Sequence, residues 1–236
     1  MELINKTDQK WTFAVEMSDS LANAIRRYIH HIPVLAIDEV EISKIDSPLY
    51  DETIAHRIGL VPIKTNKSTK QEYEVNLSVK GEKTVYSGDI TGNAEVVYDK
   101  IPLDLLNQGK ELELKGTVRA GRGEDHAKFS PGLMFYRNEC EIKMSKDHLE
   151  EVQRICPHVK IEEKGQNIIV HDNKEREVCD VCEGIADKSG EKAEVSEKDN
   201  QIITIETFGQ LPVEKIFEQS IEALKKDLDA VSKELK

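Results

Sequence analysis

Apolar residues recur along this chain with two different periods. Trp11 to Val15 alternate apolar with polar or small residues, the period of a half-buried strand. Ser18 then stands where a helix N-cap is expected, and Leu21, Ile25, Tyr28, Ile29 and Ile32 share one helical face until Pro33 ends the run. Arg26 and Arg27 fall off that face. Leu35, Ile37, Val40 and Ile42 predict a second strand, with a phase slip at Asp38-Glu39 that reads as a bulge or twist. The first 45 residues therefore read strand, helix, strand.

From about Asp46 the texture changes to short strands between turn residues. Tyr73, Val75, Leu77 and Val79 alternate with polar neighbours, and Ala94–Tyr98, Leu112–Val118 and Met134–Met144 predict three more strands. Asp147 and Glu150 form a capping-box pair for a short helix through Leu149, Val152, Ile155 and Cys156, ended by Pro157. Residues 159–162 and 168–170 flank Lys164-Gly165-Gln166-Asn167 as a hairpin. Between Asp187 and Asn200 eight of fourteen residues are charged, which predicts a mobile loop, and a strand follows over Ile202–Thr207.

The strongest pattern comes last. Phe217, Ile221, Leu224, Leu228, Val231 and Leu235 step by 4, 3, 4, 3 and 4 among Lys and Glu residues. Such a seam packs either on its own domain or on another chain. Its length, more than a small strand-helix lobe needs, favours a dimerisation element.

Composition narrows the possible functions. At 236 residues the chain exceeds one domain of about 150, and a chain of that size buries roughly 72% of its unfolded surface. Charged residues make up 33%, and 45 acidic against 33 basic side chains give a net charge of −12. That balance argues against a main grip on nucleic acid, which needs a basic stripe, and against an anionic membrane surface. Neither a signal-peptide core nor a membrane-length apolar run is present, so a cytoplasmic location is expected.

Catalytic signatures are missing: there is no G-x-S-x-G, no Walker A run and no H-E-x-x-H. Gly121-Arg122-Gly123 opens no apolar-periodic helix and reads as a surface turn. His30 and His31 are adjacent, so they face different directions on a helix and suit its end better than a shared metal. The one metal-like pattern is Cys179-x-x-Cys182 with Cys156 upstream, a set one ligand short of a structural zinc or a cubane cluster. Cys140, flanked at period two by Met134, Tyr136, Ile142 and Met144, reads as a core residue.

Three stretches together resemble a known family. Leu21-Ala22-Asn23-Ala24-Ile25-Arg26-Arg27, followed by Ile32-Pro33-Val34-Leu35-Ala36-Ile37-Asp38-Glu39-Val40, is similar to the opening helix and strand of the alpha-type assembly subunits of cellular RNA polymerases. Asp51-Glu52-x-x-Ala55-His56-Arg57-Ile58-Gly59-Leu60-Val61-Pro62-Ile63 resembles their passage into an insertion domain, and Asp125-His126-Ala127-Lys128-Phe129-Ser130-Pro131 a loop of its archaeal and eukaryotic members. With the C-terminal seam the likeness spans nearly the whole chain, and the archaeal D-type members are the nearest branch.

This resemblance implies an α+β fold in which a discontinuous dimerisation domain, residues 1–45 and 203–236, is interrupted by a β-rich insertion domain over 46–144 and a small ferredoxin-like module over 145–202. It implies a non-catalytic assembly subunit that pairs with subunit L, forms a platform joined by subunits N and P, and carries the large catalytic subunits. Leu21, Ile25, Ile29, Phe217, Ile221, Leu224, Leu228 and Val231 are the expected dimer seam, and Arg26, Arg27, His56 and Arg57 the expected contacts to the large subunits, unless those four pair within the chain with Asp38, Glu39, Asp51 or Glu52. Many archaeal members carry an iron-sulfur cluster in the ferredoxin-like module. Cys156, Cys179 and Cys182 stand at its first ligand positions, but Ile185 replaces the next cysteine and none follows. The zinc-binding cysteines of eukaryotic relatives have no counterpart in residues 62–80. No cofactor is therefore expected, and the rival reading is an iron-sulfur redox or cluster-sensing protein. A second rival is a homodimer built on the same seam.

Overall fold

The computed structural model describes residues 1–66, 69, 71–175 and 179–235, the side chains of residues 179 and 180 excepted. In chain order these form β1 (Glu2–Lys6), β2 (Lys10–Glu16), α1 (Asp19–Tyr28), β3 (Val34–Ile45), α2 (Asp51–Gly59), β4 (Tyr73–Lys80), β5 (Lys83–Tyr86), β6 (Thr91–Gly92), β7 (Pro102–Leu106) and β8 (Glu111–Gly121). There follow β9 (Gly132–Ser145), α3 (Leu149–Ile155), β10 (Lys160–Lys164), β11 (Asn167–His171), α4 (Cys179–Lys188), β12 (Glu194–Thr207) and α5 (Val213–Glu234). Helices and antiparallel strands are mixed, as an α+β fold requires.

The chain divides into two compact units, residues 1–23 with 134–205 and residues 24–133 with 206–236. These are packing units and do not run along the segment boundaries that the resemblance implies. The first holds a six-stranded sheet in the order β1-β2-β12-β9-β11-β10. At its far end Ile142, Met144, Val152, Ile168, Val170, Cys182, Ile185 and Ala186 form a small core between strands and helices. Gly165, at φ +63°, makes the predicted turn between β10 and β11, a conformation that costs glycine nothing.

The second unit is built on the four-stranded sheet β3-β8-β4-β6 and the pair β5-β7. Its core joins Leu35 and Ile37 of β3, Ile54 and Ile58 of α2, Val75, Leu77 and Val79 of β4, and Leu112, Leu114 and Val118 of β8. The expected slip at Asp38-Glu39 is a real register shift, since Ile37 pairs with Val118 and Glu39 with Thr117. Gly116 of β8 lies where Val75 and Ile37 close over the strand, and an added Cβ would meet their methyl groups at 2.9 and 3.0 Å.

Three local expectations are corrected. Residues 187–200 are no loop throughout: β12 begins at Glu194. Its charges find partners on β9, with Lys143 on Glu194 at 2.9 Å, Asn138 Nδ2 donating to Glu197 at 2.7 Å and Lys198 on Glu139 at 3.1 Å. Ala94–Tyr98 makes only an isolated bridge from Val96 to Ile63, because its backbone bonds to the connection at Pro62 and Lys64. The helix near 147 is entered through a 3-10 turn, Lys146–His148, capped by Ser145 Oγ, which accepts the Asp147 N–H at 3.4 Å.

Candidate subunit interface

Helix α5 forms because residues 213–234 contain neither Gly nor Pro. Pro212 precedes its first turn, and Glu214 and Lys233 complement the helix dipole at its two ends. Its 22 residues span about 33 Å. Only the beginning is buried: Val213, Ile216 and Ser220 are covered, Phe217 and Leu224 are half-buried, and no described residue beyond Ser220 is fully covered. Ile221, Leu228, Val231 and Leu235 are 39%, 60%, 55% and 83% exposed.

The buried residues and the seam are not the same stripe. At about 100° per residue, the seam from Phe217 to Leu235 lies on the order of 60–80° around the helix from the line of Ile216 and Ser220. Scattered exposed apolar side chains are ordinary, but four on one stripe form a continuous apolar surface. The outer part of the helix is tied back by the Tyr28 hydroxyl, which donates to Asp227 Oδ2 at 3.1 Å and whose ring stacks on His31 at 4.5 Å. Burial, and then Asp227, push the Tyr28 hydroxyl pKa up.

The expected seam residues of α1 divide. Ser18 Oγ caps the helix by accepting the Leu21 N–H at 3.3 Å, and Leu21 is exposed. Ile25 and Ile29 are buried by this chain itself, so they brace the helix and offer no surface to a partner. Periodicity marks an apolar face without saying which chain covers it.

Of the residues expected to meet the large subunits, Arg27, His56 and Arg57 are exposed and Arg26 is half-exposed. Helix α2, which places His56 and Arg57, escapes a reading by periodicity because it has only Ile54 and Ile58 on its inner face. Asp51 and Glu52 in its first turn and His56 and Arg57 in its last are the available signal. Arg57 Nη1 donates to the Leu103 carbonyl at 2.9 Å, which uses one of the guanidinium's five N–H donors. Asp38 is held by Lys128 and Arg119, not by any of these four. Burial alone would raise the Asp38 carboxyl; the hydrogen bond and charge of Lys128, joined by Arg119, overcome it and hold the pKa below the ordinary value. Lys128 thereby pins the loop between β8 and β9 onto β3, with Lys128 Nζ also donating to the Asp38 carbonyl at 3.3 Å. Beside it His30 Nδ1 meets Ser130 Oγ at 2.8 Å, and burial, then the charge of Arg26, lower the His30 pKa.

The described cysteine side chains do not make up a ligand set. Cys156 and Cys182 are free thiols and neighbours, and burial, followed by Cys156, pushes the Cys182 thiol up to about 11. A cluster or zinc ion needs thiolates. Ile185, one turn on, is packed in the same apolar core as Cys182. Cys140 is buried, as expected, but its sulfur is oxidised in a disulfide. The Cys179 side chain lies outside the described residues. Among the described residues no three His, Cys, Asp or Glu side chains stand close enough to hold a metal ion. An iron-sulfur centre does not fit the side chains described.

Residues 40–134 match the model of the RNA polymerase Rpb3/RpoA insert domain, the stretch that holds the second half of β3 together with α2, β4 and β8. Relatives named DNA-directed RNA polymerase subunit Rpo3 align with the chain over most of their length. The protein of Pyrococcus horikoshii is 32% identical over 100% of this chain and 97% of its own, and that of Thermococcus kodakarensis 32% over 99% and 96%. The Archaeoglobus fulgidus protein is 30% identical over 99% of this chain and 96% of its own. With the insert domain matched and the alignment running from the first strand to the C-terminal helix, the chain belongs to the family of archaeal RNA polymerase subunit Rpo3, the alpha-type subunit of that enzyme.

Proposed function

We propose that this chain is a non-catalytic assembly subunit of an archaeal DNA-directed RNA polymerase, active in transcription without carrying the reaction itself. The observation behind the reading is the apolar stripe of Ile221, Leu228, Val231 and Leu235, presented beyond the buried start of α5. Subunit L is its partner: a matching stripe on that smaller chain covers these residues, together with Leu21 and the half-buried Phe217 and Leu224, in an apolar interface core. The heterodimer so formed is a platform joined by subunits N and P. Arg26, Arg27, His56 and Arg57 then dock the large catalytic subunits.

In descent, residues 1–45 and 203–236 are the dimerisation domain, 46–144 the insertion domain, and 145–202 a ferredoxin-like module that has lost its cluster. We place the protein in the cytoplasm. No helix among the described residues is long and apolar enough to cross a membrane.

Co-expression with the subunit L of the same organism tests the reading. A stable one-to-one complex is expected, and a well-behaved homodimer that ignores L would contradict it. Arg27→Ala is expected to leave that heterodimer intact and to weaken its assembly with the large subunits. Assembly at unchanged affinity would remove Arg27 from the docking surface.

A further inference from the structure

The first unit carries an open cleft of about 700 Å³, bounded by the end of β2, the start of α1, Asn138 of β9 and residues 197–201 of β12. Four carboxylates line it, those of Glu16, Asp19, Glu197 and Asp199. Among the described residues the one cation on its wall is Lys198, and it is committed elsewhere, to Glu139 at 3.1 Å and Glu141 at 2.7 Å. Even in an acidic chain this is a concentration of charge that nothing described neutralises.

A buried amide organises the cleft. Gln201, 2% exposed, donates through Nε2 to Asp19 Oδ1 and Asn138 Oδ1, while Asn138 Nδ2 donates to Glu197 Oε2 at 2.7 Å. The relay orients two of the four carboxylates. It also leaves Gln201 Oε1 buried with no donor among the described residues, a deficit that ordinarily costs about 1–3 kcal/mol. The cleft thus offers acceptors from several directions, while the Lys198 ammonium on its wall is turned to other carboxylates.

A metal ion is a poor match, because no three of its carboxylates converge within coordinating distance. A guanidinium suits better: it is planar, permanently charged and carries five N–H donors that spread over separated carboxylates. We propose that this cleft is a docking site for an arginine side chain borne on a basic segment of a partner protein. The segment's arginine pairs with Glu16, Asp19 and Asp199, and the exposed Asp19 side chain shifts to admit a donor to Gln201 Oε1. The site is independent of the α5 stripe.

The test titrates the full-length chain calorimetrically with a capped Arg-Gly-Arg-Gly-Arg peptide and its lysine counterpart, at about 0.15 M salt to suppress diffuse attraction. Replacing two exposed carboxylates, E16Q with D199N, is expected to weaken the arginine peptide at least about tenfold. The same charge change away from the cleft, E72Q with E74Q on and beside β4, is expected to alter it less than about twofold. Equal losses in the two double variants would reduce the binding to net charge and overturn the proposal, as would no loss in E16Q/D199N. A lysine peptide that binds as tightly would overturn the guanidinium assignment. Saturable binding of Mg²⁺ or Ca²⁺ at about 1 mM, abolished by E16Q/D199N, would make this a cation site instead.

Discussion

The sheet β3-β8-β4 and the outer half of α5 belong to the same packing unit and meet their apolar residues in opposite ways. In the sheet, Leu35, Ile37, Leu77, Leu112 and Val118 are covered by other parts of this chain. Beyond Ser220, the helix repeats an apolar residue every three or four positions and covers none of them fully. Both patterns are equally regular in sequence, so regularity alone does not distinguish a core from an interface. Burial does. The sheet is complete as a single chain, and on the function proposed above a second chain completes the helix.

Substitutions can break this contrast, the largest effect falling in the sheet. Leu112→Ala removes a fully buried side chain, and a loss of about 2–5 kcal/mol in denaturant unfolding is expected, the same with or without subunit L. Next is the interface. The double variant Leu228→Glu with Val231→Glu should unfold within about 0.5 kcal/mol of the parent, since both positions are exposed, yet bind subunit L with a loss of about 2–4 kcal/mol. Equal destabilisation of the free chain would show that the stripe is covered internally.

Asp38 tests the sheet through pH. Its carboxyl is held below the ordinary pKa, so its contribution is fully present above the unfolded value of about 4 and disappears as pH falls through the lower folded value. Asp38→Asn should therefore cost about 1–3 kcal/mol at pH 7, and the gap to the parent should close below about pH 4. A gap that persists in acid would mean that the difference does not come from the Asp38 charge. Smallest is Tyr28→Phe. Losing the exposed bond to Asp227 should lower stability by about 0.5–1 kcal/mol, read as a small shift in thermal midpoint.

Much of this architecture is legible in the residues. Alternation in β4, the slip at Asp38-Glu39, the turn at Gly165 and the seam of α5 each follow from a local rule of spacing or backbone freedom. What escapes depends on residues far apart in the chain. The start of β12 reads as a charged loop until Glu194, Glu197 and Lys198 are set against Lys143, Asn138 and Glu139. Helix α2 shows two buried apolar residues in nine, too few to mark a period. Ile25 and Ile29 are legible as apolar but not as inward, because periodicity does not name the surface that covers it. The cleft around Gln201 is invisible in sequence, since its four carboxylates come from two separate stretches joined only by folding.

Amide hydrogen exchange along α5, measured on the free chain and after addition of subunit L, addresses the central claim most directly. Strands β4 and β8 should exchange equally slowly in both, and residues 221–234 should exchange fast in the free chain and become strongly protected in the complex. Residues 221–234 that exchange at the same rate before and after a stable complex forms would contradict the account, and would move the interface off this helix.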